Sequence, residues 1–189
     1  MTDASYVTKD DSLSQLAFAF FLNYNSGTIY ARSFRDKTVS HSSTETEIKS
    51  IDEAIRQSVW LRGFLEELGY PQLGPTIIYT DSNSSILMSK TLRDSPSSSH
   101  LVMRINYIHQ EIKNGNVKLI YIDGGDNTAD VLTKPLAAAP HTKHAQNLLQ
   151  GFDGIAPNER LLVTPEQLAK RQITKMRAAK RRLMNARAK

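Results

Sequence analysis

Residues 76–80 read TIIYT, and the next residue is Asp81. A short apolar run rich in β-branched residues predicts a strand buried on both faces, the kind that parallel sheets use. The run ends on a carboxylate, and open α/β sheets build their sites at the carboxyl ends of strands. Upstream, Thr44-x-x-Glu47 is a capping-box pattern. Ile48, Ile51, Ile55, Val59, Leu65 and Leu68 follow at helical spacing, and Gly69 and Pro71 stop the helix. Further upstream, LAFAFFL (16–22) and TIYARSF (28–34) flank turn residues 23–27, which predicts a β-hairpin, with residues 38–40 as a short third strand. Downstream, residues 82–90 read as a short helix with Ile86 and Leu87 inward, and residues 91–99 as a Ser-rich loop. Leu101, Ile105, Ile108 and Ile112 mark a helix over 100–113 closed by Asn114-Gly115, and VKLIYI (117–122) is another strand. After a Gly-rich turn at 123–126, Asn127 or Thr128 caps a helix reaching about Thr133, before Pro135. The order predicts an α/β fold: a mixed central sheet with helices on its faces.

With 189 residues and 40% hydrophobic content, the chain can bury one good core and a small appendage. It has no cysteine, which excludes disulfides and thiolate zinc sites and fits a reducing compartment. The longest apolar run, Leu16 to Leu22, is far short of the roughly 20 residues of a membrane span, so no membrane partner is expected. The net charge of +5 hides an asymmetry. Residues 165–189 hold nine Lys and Arg against Glu166 alone, whereas the rest holds 15 basic and 18 acidic residues. Thr164-Pro165-Glu166-Gln167 is a helix start, and Leu168, Met176 and Leu183 share a face, so the tail reads as a basic amphipathic helix. Such a helix suits phosphate backbone held by counterion release. Three regions are expected: a domain over 1–136, a linker or irregular extension over 137–164, and the tail over 165–189.

Four acids stand where elements begin or end: Asp3 in TDAS, Glu47 on the first turn of the long helix, Asp81, and Asp130 on the late helix. Several carboxylates at one sheet edge repel unless compensated, and hard oxygen donors suit Mg²⁺ or Mn²⁺. Two such ions about 4 Å apart can serve phosphodiester hydrolysis without a covalent nucleophile. Against that stands the ordinary use of acids as caps and ion-pair partners: Asp81 can cap a helix, Asp130 can pair with Lys134 at i, i+4, and Glu45 can meet the helix dipole. Tyr107 and Trp60 read as core residues.

Three phrases, in order, carry a family resemblance: SSTETEIKSIDEA (42–54), YTDSNSSI (79–86) and TADVLTKPL (128–136). They resemble the ribonuclease H domain of copia-type (Pseudoviridae) LTR-retrotransposon Gag-Pol polyproteins, whose phrases are similar to SSTEAEY, a strand followed by DN or DS, and ADILTKPL. TDAS resembles the family's SDA start. SHLVMRINYIHQEIKNGNVKLIYI (99–122) resembles its KHIDIRYHFIRE segment, although Ser99 stands where the family has Lys.

The resemblance covers about residues 2–136 and implies a ribonuclease H-like fold. It makes Asp3, Glu47, Asp81 and Asp130 both the catalytic residues and the ligands of two Mg²⁺ (or Mn²⁺) ions, with Glu47 preferred to Glu45. It also implies the activity, hydrolysis of the RNA strand of RNA–DNA hybrids during reverse transcription. The implied partners are the hybrid and the reverse transcriptase domain of the same polyprotein. His100, Arg104, Lys134, Lys175, Arg181 and Arg182 are the expected nucleic-acid contacts. The implied location is the cytoplasm, in a virus-like particle, with the nucleus second. No histidine stands in the turn after the last strand, where some cellular ribonucleases H carry one. Only Met1 and Thr2 precede Asp3, so the first strand is expected to be largely missing, as in a chain excised from a polyprotein, truncated, or encoded by a degenerate element. The alternative function is therefore a truncated or co-opted module that binds nucleic acid or a protein without catalysis. An integrase core shares the fold class, but its last acid would be Glu on a long helix.

Overall fold

A computed structural model describes residues 1–6, 13–23, 25–90, 92 and 100–152. The strands are β1 (Thr2–Ser5), β2 (Gln15–Phe21), β3 (Thr28–Arg35), β4 (Thr76–Thr80) and β5 (Val117–Tyr121). The helices are α1 (Ser43–Glu67), α2 (Asn83–Ser89), α3 (His100–Lys113) and α4 (Ala138–Gln150), with 3-10 turns over Gly124–Asp126 and Thr128–Leu132. β1, β2 and β3 form an antiparallel sheet in that order, and β4 pairs with β5 in parallel. The expected mixture of directions is present, distributed over two ladders, with β1 beside β4.

The first strand is present and short. Its four residues pair from Thr2 with Phe18 to Ser5 with Gln15, and Met1 continues the ladder by exchanging both backbone bonds with Ala19. This suffices to put Asp3 inside a strand, fully buried. β2 is the most enclosed strand, with every residue from Leu16 to Phe20 buried, which is why it is apolar on both faces. Phe18 and Phe20 meet Ile48, Ile51 and Ile55 of α1, Ile78 of β4, Val117 of β5, and Ile105 and Ile108 of α3 in the main core.

The cap of α1 lies two residues before the expected Thr44. Ser42 is the N-cap and accepts from the Glu45 backbone N–H at 3.1 Å, while the Glu45 carboxylate accepts from the His41 N–H at 2.9 Å. Glu45 does the capping, which leaves Glu47 free of it. At the far end, Gly69 at φ +86° closes a Schellman motif: its N–H donates to Glu66 and that of Tyr70 to Leu65.

Four expectations change. Residues 38–40 form no strand, because Thr38 and Ser40 turn together with Asp36 onto the buried ammonium of Lys49, at 3.0, 2.9 and 2.9 Å. Leu87 faces solvent and Met88 packs instead. Trp60 is 63% exposed and stacks on Phe64, while its neighbours Val59 and Leu61 pack against the core. Residues 138–150, within the expected linker, form α4, which packs on the Thr128–Leu132 turn and β3. The predicted tail lies outside the described residues.

Candidate metal centre

Each acid of the centre arrives by a different route. Asp3 lies mid-strand in β1, held because the Ser50 hydroxyl of α1 donates to its backbone carbonyl at 2.8 Å. Glu47 is the fifth residue of α1, just past the first turn that Ser42 caps. Asp81 follows β4 directly, and Ser82, not Asp81, caps α2. Asp130 lies in the 3-10 turn Thr128–Leu132, whose N-cap is Asn127.

Asp3, Glu47 and Asp81 each offer a carboxylate oxygen within 4.8 Å of the other two. Among the described residues, Glu47 Oε2 and Asp81 Oδ1 are buried oxygens with no hydrogen-bond partner. Orphaned buried carboxylate oxygens are costly unless a cation or donor meets them. Asp130 joins through Lys134, whose ammonium lies 3.1 Å from Asp3 Oδ1 and 3.2 Å from Asp130 Oδ1. The i, i+4 pair foreseen for Asp130 is therefore present, and it spans to a third residue.

The electrostatics match this crowding. Burial first, then the charges of Asp3 and Asp81, push the Glu47 carboxyl up to about 9. Burial and then Asp3 raise Asp81 as well, and the same two causes bring Asp130 to about 7. Burial alone would lower Lys134, but Asp3 and Asp130 outweigh it and hold the ammonium above its ordinary range.

Three supporting residues carry no acidic signal. Asn127, fully buried, donates to the Thr2 carbonyl at 3.0 Å, accepts from the Ala129 N–H at 3.3 Å and hydrogen-bonds Asp81. In sequence it reads as a helix cap, which it is, but its amide also ties β1 to the late turn. The Thr133 hydroxyl donates to Asp3 Oδ2, so both oxygens of that carboxylate are engaged. Gly124 leaves room for Asp81, since a Cβ there would lie 3.3 Å from Asp81 Oδ2.

The expected nucleic-acid contacts are more scattered. Lys134 lies in the centre. His100 is exposed at the first turn of α3. Arg104 is bonded to the buried Asp52 of α1, which Arg56 also meets at 3.2 Å, so its guanidinium joins α3 to α1. Tyr107 packs under the Arg56 guanidinium, 4.7 Å from the ring centre. Lys175, Arg181 and Arg182 lie outside the described residues, as does the Ser-rich loop 93–99.

No protein-family model matches the chain. The retrovirus-related Pol polyprotein from transposon TNT 1-94 of Nicotiana tabacum is 31% identical over 115 residues, 61% of this chain. The corresponding polyprotein from transposon RE1 of Arabidopsis thaliana is 26% identical over 140 residues, 74% of this chain. The transposon Ty1-NL2 Gag-Pol polyprotein of Saccharomyces cerevisiae is 29% identical over 137 residues, 72% of this chain. The chain spans only 8–9% of the length of these relatives. Among solved structures, a ribonuclease H1 isolated from compost by a metagenomic approach superposes with a TM-score of 0.51 at 15% identity, over 70% of this chain and 89% of that one. The chain is thus a homologue of the Pol polyproteins of copia-type transposons, and its fold is that of ribonuclease H.

Proposed function

We propose that this ribonuclease H-like module is a metal-dependent endonuclease that hydrolyses the RNA strand of RNA–DNA hybrids during retrotransposon reverse transcription. The observation that carries the reading is the convergence of Asp3, Glu47 and Asp81, with buried oxygens of the last two unpartnered. This donor set, all carboxylate oxygen and no nitrogen or sulfur, fits Mg²⁺ or Mn²⁺. Asp3, Glu47 and Asp81 would hold one ion, and Asp3 with Asp130 a second. Two such ions supply an activated water and stabilise the leaving oxygen in phosphodiester hydrolysis.

The chain's own residues do the positioning. Asp3 is the shared ligand, and the Ser50 bond to its backbone and the Thr133 bond to its side chain fix it before substrate arrives. Asn127 fixes Asp81 against β1. The hybrid would be read by backbone shape and 2′-hydroxyls, independently of sequence. The reverse transcriptase domain of a Pol polyprotein is the natural neighbour for such a module, and the virus-like particle its place of action.

The test is cleavage of an end-labelled RNA–DNA hybrid in Mg²⁺ or Mn²⁺ by this chain and by Asp81→Asn. Cleavage that requires the ion and is lost in the variant supports the enzyme. Hybrid binding without cleavage in either ion, by a folded chain, replaces it with a non-catalytic binding module.

A further inference from the structure

Asp3 is the hinge between two unequal halves of the centre. One half is Asp3, Glu47 and Asp81, which has two unpartnered oxygens and feels the charge of Lys134, although that ammonium bonds only Asp3 among the three. The other is Asp3 and Asp130, with the Lys134 ammonium within 3.2 Å of both. An ammonium and a divalent ion cannot share that space: both seek the same oxygens, and they repel at contact distance. Lys134 is also able to leave. Its side chain is 34% exposed, it has a flexible four-carbon stem, and its backbone is tied down separately by a 2.9 Å bond to the Asp130 carbonyl.

We propose that Lys134 is a tethered cation that occupies the second metal position, so that the centre takes one divalent ion on its own and the second only when the Lys134 amine is drawn onto an incoming phosphate. This rests on the reading of the cluster as a metal centre and adds to it an order of loading and a residue that enforces it. Lys134 is a positioning residue here: it touches ligands, and it exchanges one anionic partner for another as the substrate phosphate arrives. Loading of the second position is thereby coupled to substrate, which keeps the two-ion state from forming without a hybrid. By reciprocity, filling the second position strengthens phosphate binding by the same factor.

The experiment is Mn²⁺ binding to the full chain without nucleic acid, counted by the electron paramagnetic resonance of free Mn²⁺, together with the melting temperature over the same titration. The parent is expected to bind one ion. Lys134→Met, which keeps the length and apolar stem, is expected to bind two, the second at least about tenfold tighter than in the parent, since a unit charge at contact distance has been removed. Lys134→Arg keeps the charge and is expected to bind one. Lys134→Met should also melt lower than the parent without metal and recover when Mn²⁺ is added. Two ions bound by the parent would overturn the proposal while leaving the metal centre standing. So would a Lys134→Met protein that melts lower yet binds Mn²⁺ like the parent, since Lys134 would then be a structural ion-pair partner. A folded parent that binds no Mn²⁺ and cuts no hybrid would overturn the proposal together with the metal reading beneath it.

Discussion

At the scale of single residues, the centre is held at a cost that pH exposes. Glu47 has its carboxyl pushed to about 9 in the folded protein, against 4.5 for an ordinary glutamate. The folded state therefore keeps a proton that the unfolded chain releases, so this group's contribution to stability is complete below pH 4.5 and is lost as pH rises toward 9. Glu47→Gln cannot ionise and escapes that loss. In metal-free buffer its melting temperature should exceed the parent's by a margin that grows from pH 5 to pH 9, while hybrid cleavage disappears. Parallel melting of parent and variant over that range would refute a buried acid at this position. Asn127→Ala should behave in the opposite way, losing stability by about 2 kcal/mol as the buried Thr2 carbonyl loses its side-chain partner. Urea unfolding at neutral pH checks it.

At the scale of elements, the start of α1 uses a capping box that overlaps the one expected at Thr44. Ser42-x-x-Glu45 and Thr44-x-x-Glu47 are both capping-box patterns, interleaved two residues apart. The structure uses the first, so Ser42→Ala should cost about 1 kcal/mol, whereas Thr44→Ala should stay within about 0.5 kcal/mol, both read from the urea midpoint. Helical periodicity located α1 and α3 because each buries one face, and largely apolar runs located β2, β4 and β5. Residues 38–40 misled because their alternation serves Lys49, a partner nine to eleven residues away that no local pattern reveals. The four acids were legible through the phrases around them. Asn127 and Thr133 were not, because a buried polar residue that ties strands together looks in sequence like any loop cap. The packing of α4 depends on another inconspicuous residue: a Cβ at Gly27 would lie 2.4 Å from the Leu149 carbonyl oxygen. Gly27→Ala should therefore destabilise by about 2 kcal/mol, as overpacking against backbone does, seen in the same unfolding assay.

At the scale of the whole molecule, β1 and β4 lie beside each other as members of separate ladders. How to watch any of these transitions follows from the exposed face of α1. Trp60 is the only tryptophan of the chain, stacked on Phe64 in water and roughly 20 Å along the helix from Glu47. Its native emission will already be red-shifted and open to iodide quenching, so indole fluorescence is nearly silent to core unfolding and to ion binding alike. Far-ultraviolet dichroism will follow the molecule faithfully, and the indole will instead report the moment another surface covers that face.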